Sequence, residues 1–167
     1  MPLSLRAIIV PMTLWAMAIA AAAQAQTTVA LTGLKQDSSL PVEVESDTLS
    51  VDQGTGEAVF TGNVKVVQGD MTITSERARV EYTPGGNEVH KVFFYENVLF
   101  TSPTDAAEGD EAVYTLATGE VVMTGNVLLT QGTTTIAGPR LVYNLDAGTG
   151  VMEGRVQTVF VPGSGTP

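Results

Sequence analysis

The chain holds one histidine, His90, and no cysteine, which narrows the chemistry open to it. A zinc site built from histidine and cysteine ligands needs several of them, and one imidazole cannot supply it. A Ser-His-Asp arrangement would have to use His90, yet no Gly-x-Ser-x-Gly turn is present. His90 sits in "NEVHKVFF" just past a turn, on the apolar parity of its strand, and reads as a strand-end residue. The acidic cluster "AAEGDE" offers Glu108, Asp110 and Glu111. It lacks the spacing of a calcium loop, and strand parity sends neighbouring carboxylates to opposite faces, so it reads as a solvated strand start. "GTG" at 54–56 and again at 148–150 is followed by no Lys-Ser or Lys-Thr, so these are turns and not phosphate loops. No catalytic constellation, metal or cofactor is expected; binding is the expected task.

Export bounds what remains. "MPLSLR" carries one cation, Arg6, ahead of the apolar stretch "AIIVPMTLWAMAIAAA" and the small-x-small pair Ala23 and Ala25. This pattern predicts a signal peptide over 1–25, cleaved after Ala25, and a protein delivered to the periplasm. Without Arg6, 7 basic and 18 acidic side chains remain. So negative a chain is a poor partner for nucleic acid, which requires a basic footprint. With no disulfides available, stability has to come from a large apolar interior and a long backbone ladder.

The sequence repeats itself. "FTGNVKVVQGDMTI" (60–73) returns as "MTGNVLLTQGTTTI" (123–136), and four related units follow from aligning on Val64, Val98, Val127 and Val156. Four residues before each valine stands Phe60, Phe94, Met123 or Met152; two after it stands Val66, Phe100, Leu129 or Thr158. Earlier in each unit come Leu49, Val80, Ala112 and Leu141, then two residues on Val51, Tyr82, Tyr114 and Tyr143. Even spacing places these side chains on one face of a strand, opposite Thr61, Asn63, Lys65, Asn97, Thr124 and Asn126. Turn residues such as "TPGGN" and "LDAGTG" separate the strands, and no stretch has a helical apolar period. The expected fold is all-β, with stacked antiparallel hairpins burying one face and Gly-Asn bending each strand. Periodicity alone leaves open whether the apolar columns close on one another or leave a trough.

"PVEVESD" (41–47), "FTGNVKVVQG" (60–69) and the second "MTGNV" (123–127), taken in order, resemble the LptA/OstA-like family of periplasmic lipopolysaccharide-transport proteins. The resemblance covers residues 41–160 and implies an OstA-like open β-jellyroll whose apolar trough shields the acyl chains of lipid A. It makes Val42 and Val44 the start of the lining. Leu49, Val51, Phe60, Val64, Val66, Val80, Tyr82, Phe94, Val98, Phe100, Tyr114, Met123, Val127, Leu129 and Tyr143 continue it as expected lipid contacts. Residues 26–40 and 161–167 are expected to be a flexible lead-in and a short flexible tail.

The resemblance also implies partners. An LptC-like domain would meet the N-terminal edge strand "PVEVESD", and an LptD-like domain the C-terminal edge "GRVQTVFV" (154–161). The resemblance further allows head-to-tail association of copies, since unpaired strand edges recruit further strands. An LptC-like protein of the same pathway is the alternative, disfavoured by the cleavable leader, as LptD is by the chain's end at Pro167. A non-catalytic β-solenoid is the more distant one.

Overall fold

The computed structural model describes residues 26–30, 34, 37, 39–52, 54–85 and 88–160. The expected signal peptide (1–25) and tail (161–167) lie outside the described residues. Eleven strands form one antiparallel sheet: β1 (Gln26–Ala30), β2 (Glu43–Glu45), β3 (Thr48–Asp52), β4 (Glu57–Gln68), β5 (Met71–Tyr82), β6 (Val89–Thr101), β7 (Asp105–Thr115), β8 (Glu120–Gln131), β9 (Thr134–Asn144), β10 (Thr149–Glu153) and β11 (Gln157–Phe160). The order is β1-β10-β9-β8-β7-β6-β5-β4-β2, with β3 also on β4 and β11 also on β9. From β4 to β10 each strand pairs with its sequence neighbour, so the repeats stack as a meander. The sheet does not close.

Two-residue turns link the repeated hairpins. Gln68 pairs with Met71, and Gln131 with Thr134. Gly69 (φ 58°) and Gly132 (φ 55°) take the left-handed backbone that such tight hairpins require. The first "GTG" segment, 54–56, is a turn as well; of the second only Gly148 lies in the turn, and Thr149 and Gly150 begin β10. In the first, the amides of Gly54 and Thr55 donate to Asp52 Oδ1 at 2.7 and 3.3 Å. The carboxylate thus occupies the donors that a phosphate would need.

The long strands break at mid-length. Register shifts fall between Thr61 and Val64, Tyr95 and Val98, and Thr124 and Val127. At each break two consecutive residues have positive φ: Gly62 and Asn63, Glu96 and Asn97, Gly125 and Asn126. An extra residue in one strand of a pair bends it, and stacked bulges fold the whole sheet along one line. Phe94 and Phe100 prove the bend. Six residues apart on β6, about 20 Å if the strand were straight, their rings meet edge to face at 6.0 Å. The two halves of the sheet therefore face each other over a shared interior.

Asp47 and Asp110 latch two of the bulges. Asn63 Nδ2 donates to Asp47 at 2.9 Å, and Asn126 Nδ2 to Asp110 at 3.0 Å. Each carboxylate also fills the space where a side chain on Gly62 or Gly125 would begin. Gly-Asn is thus scaffold, as expected, and Asp110 of the acidic cluster has a structural task.

Three sequence expectations need correction. Residues 26–40 do not simply lead in: Gln26–Ala30 form β1 on β10, and Leu34 is buried in the core. His90 is exposed and not on the apolar face. Glu81 pairs with Lys91 and Tyr82 with Val89, so His90 is the extra residue of a small bulge, which turns it outward. Even spacing also fails on the strands facing the bulges. On β5 the buried positions are Met71, Ile73 and Ser75, then Ala78 and Val80, because the strand opposite a bulge has one residue fewer in the bend.

Gly125→Ala is expected to lower stability by about 1–3 kcal/mol, since alanine must hold a left-handed φ and displace Asp110. Adding Asp110→Ala should recover part of that loss by vacating the space. Urea denaturation of the three proteins measures both effects, and an unchanged midpoint for Gly125→Ala would show that the bulge relaxes freely.

Candidate functional site

The interior differs from end to end. Near β1 and β10 it is solid: Leu34, Met123, Leu129, Leu141, Leu145 and Met152 are all at most 2% exposed. Near β2 it opens into an apolar cavity of about 170 Å³. Cavities of this size are dry when apolar and accept small hydrocarbons such as benzene.

The expected lining divides accordingly. Val42, Val44, Phe60, Val66, Val80, Tyr82, Phe94 and Tyr114 border the cavity. Val64, Val98, Phe100, Met123, Val127, Leu129 and Tyr143 are buried against other side chains in the common core. Leu49 and Val51 lie on the edge strand β3, 56% and 62% exposed. They stand opposite Phe60 and Ala58, so they extend the apolar face to the rim of the sheet without enclosing anything. At the other rim Val159 and Phe160 are exposed on β11.

Sequence reasoning missed several residues bordering the cavity: Gln68, Met71, Ile73, Ala78, Val89, Val92 and Leu116. Met71 and Ile73 were readable from alternation across the Gly69 turn. Gln68 was readable only as the repeated Gln before a turn glycine, shared with Gln131. Its role is spatial. Gln68 is buried at the end of β4, where its Nε2 donates to the Leu40 carbonyl at 3.0 Å and its Oε1 accepts from the Tyr114 hydroxyl at 3.3 Å. Gln68 and Tyr114 belong to opposite halves of the folded sheet, so this bond ties one wall to the other and ties the approach to β2 down. A polar group inside an apolar cavity is tolerated because it is paired.

Burial raises the Tyr114 hydroxyl above its ordinary pKa, helped by the charge of Asp146 and opposed by the bond to Gln68. Burial, with the charge of Asp105, raises Tyr143 further. Both phenols stay neutral, as an apolar interior demands. On the outer wall Arg79 reaches Glu57 and Glu81, each at 2.6 Å, and lies over the Phe93 ring at 4.2 Å. Arg79 is thereby paired within the outer wall, and the interior is left to apolar contact.

A family described as LptA/(LptD N-terminal domain) LPS transport protein matches residues 43–149. The chain belongs to that family. Its description is of transport. An uncharacterised protein of Rhizobium meliloti (strain 1021) is 32% identical over 115 residues, 64% of this chain and 62% of that protein. The lipopolysaccharide export system protein LptA of Escherichia coli (strain K12) is 32% identical over 97 residues, 53% of this chain and 51% of that protein. The matches thus span between half and two thirds of these relatives' own lengths. A crystal structure of LptH from Pseudomonas aeruginosa shares the fold, with a TM-score of 0.67 at 21% identity over 76% of this chain and 99% of that one. LptH is described as the LptA-homologous periplasmic component of a lipopolysaccharide transport device. The fold is the LptA-like open β-jellyroll.

The tyrosines set an alkaline limit. With both folded-state pKa values raised, the unfolded chain loses its tyrosine protons first, near pH ~10. This part of the stability is full below that pH and declines above it. Tyr143→Phe is expected to flatten the decline in thermal midpoint, followed in parallel with phenolate absorbance. An unchanged slope would mean that Tyr143 ionises as freely folded as unfolded.

Proposed function

We propose that this protein is a periplasmic carrier that shields the acyl chains of lipopolysaccharide in its apolar interior and passes them between partner domains at its two sheet ends. The observation that carries the reading is the apolar cavity opening beside an exposed edge strand, with Val42 and Val44 on its rim. Acyl chains bind by leaving water, worth about 0.8 kcal/mol per methylene. A net charge of −10 is therefore no obstacle, and it keeps anionic headgroups off the outer wall.

The cavity admits only part of an acyl chain. A whole lipid A needs the two walls to part, and an unclosed sheet permits that, since no strand pairing joins its ends. Parting begins most easily at the β2 end, where the interior is already incomplete. An LptC-like domain would add its edge to β2 and β3, and an LptD-like domain to β11; each is a backbone pairing that extends the sheet and the interior together.

A photo-reactive residue at Phe60 or Val80 is expected to crosslink to lipopolysaccharide, and one at Lys65 or Asn126 is not. Equal yield from both walls would sink the interior route. A second test concerns the edge. Of two consecutive residues on an edge strand, one amide faces the neighbour and the other faces outward. Glu43→Pro and Val44→Pro are therefore made separately and tested against the LptC-like domain, with circular dichroism as the fold check. The protein that keeps the wild-type melting profile should lose binding by about tenfold or more, each lost donor to a paired strand costing about 1–3 kcal/mol. Full binding by both would place docking elsewhere.

A further inference from the structure

Gln68 is 1% exposed and borders the apolar cavity, where replacing it and its partner by apolar groups of the same shape would cost little stability. Its amide is oriented by the chain beside it. The Leu40 carbonyl can only accept, so at 3.0 Å it holds Nε2 on its own side and turns Oε1 to the Tyr114 hydroxyl, which donates at 3.3 Å. Tyr114 stands on β7, with β6 and β5 between it and β4 in the sheet, so the bond crosses the interior and is no part of a strand pair. Residues 39–45, which include Leu40, run as an exposed strap along the mouth of the cavity, bordered by their Val42 and Val44. Among the described residues, the strap pairs with β4 only at Glu43, Val44 and Glu45. This end of the interior is lightly held.

We propose that Gln68 and Tyr114 form the clasp of a gate, a bond that keeps the two walls of the interior closed at the β2 end and must break for the interior to open. The inference rests on the reading of the interior as the place of the ligand, and adds how entry is controlled. Apolar walls attract each other without direction, and the attraction fades gradually as they part. A hydrogen bond behaves differently: beyond about 3.5 Å it is gone. At 3.3 Å the clasp stands near that limit, and a parting of a few tenths of an ångström breaks it. The walls thus have a closed state with the bond and an open state without it. A ligand that needs the open state binds less tightly in proportion to the fraction of molecules that are open. The clasp sets that fraction.

The gate is read without any ligand. The chain has no cysteine, so Ala78→Cys puts a single thiol on the cavity wall, at a position 1% exposed. An uncharged disulfide reagent, 4,4′-dithiodipyridine, reaches this thiol when the walls part, so the labelling rate follows the open fraction. Ala107→Cys, equally buried but in the common core, reports general loosening instead. Each is combined with Tyr114→Phe, with Gln68→Met and with both. Labelling at position 78 is expected to quicken about three- to tenfold with either change, the worth of one neutral buried bond. The double change should go hardly beyond the faster single, because the same bond is removed only once. Labelling at position 107 should stay as it is. Equal rates at position 78 with and without the clasp overturn the gate, as do rates that rise alike at both positions or multiply in the double change. Should Gln68→Met fail to fold, Tyr114→Phe decides alone, since it keeps the ring and removes only the hydroxyl. Lipopolysaccharide takes no part in this measurement. A failure of crosslinking from Phe60 and Val80 therefore counts against carriage, while the labelling rates still decide the gate.

Discussion

The left-handed bulge at mid-strand is the feature on which everything else depends. Two residues of positive φ in each of β4, β6 and β8 force the chain to turn where a straight strand would run on. Without the turn, the apolar face of this sheet would be a flat surface open to water on one side. With it, the sheet becomes its own cover, and Phe94 and Phe100 from one strand can touch. In β4 and β8 glycine permits the backbone, asparagine tolerates it, and Asp47 or Asp110 fills and caps the space left by the missing side chain; in β6 Glu96 and Asn97 take the same backbone.

A sheet folded this way has an interior but no closure. A barrel removes its edges by pairing first strand with last; here β2 and β3 at one end and β1 and β11 at the other keep an unpaired side. Exposed apolar side chains gather at those ends, with Leu49 and Val51 at one and Val159 and Phe160 at the other. The outer wall, by contrast, is charged, with pairs such as Arg79 with Glu57 and Arg140 with Glu153. Stickiness is thus segregated to the ends, which suits a protein of a family that works in a transport chain. The interior is graded too, filled at the β1 end and open at the β2 end.

Much was legible in the sequence because repetition reports one local geometry several times over. Even spacing about each Gly-Asn assigned Phe60, Val64 and Val66, and Met123, Val127 and Leu129, to a single face, and they are there. Turn glycines and alternation supplied the strand pairing, since short hairpin links leave antiparallel neighbours little choice. The family resemblance came from the same repeated phrases.

What the tertiary structure decided lies where parity or separation fails as a guide. His90 left the apolar face and the two halves of β5 alternate out of phase, because a bulge shifts alternation by one and a period of two cannot register a single added residue. Which apolar residues border space and which border one another depends on the opposite wall, so Phe94 and Met123, identical in repeat position, ended in a cavity and in a filled core. Gln68 found Tyr114 and the Leu40 carbonyl only once the sheet had folded over. The first strand among the described residues, β1, pairs with β10, more than a hundred residues later in the chain. Its sequence looks like a polar lead-in because an edge strand pairs on one side only, so local composition holds no mark of the partner. Sequence determined the repeating wall; folding decided what the wall encloses and which strand stands at its end.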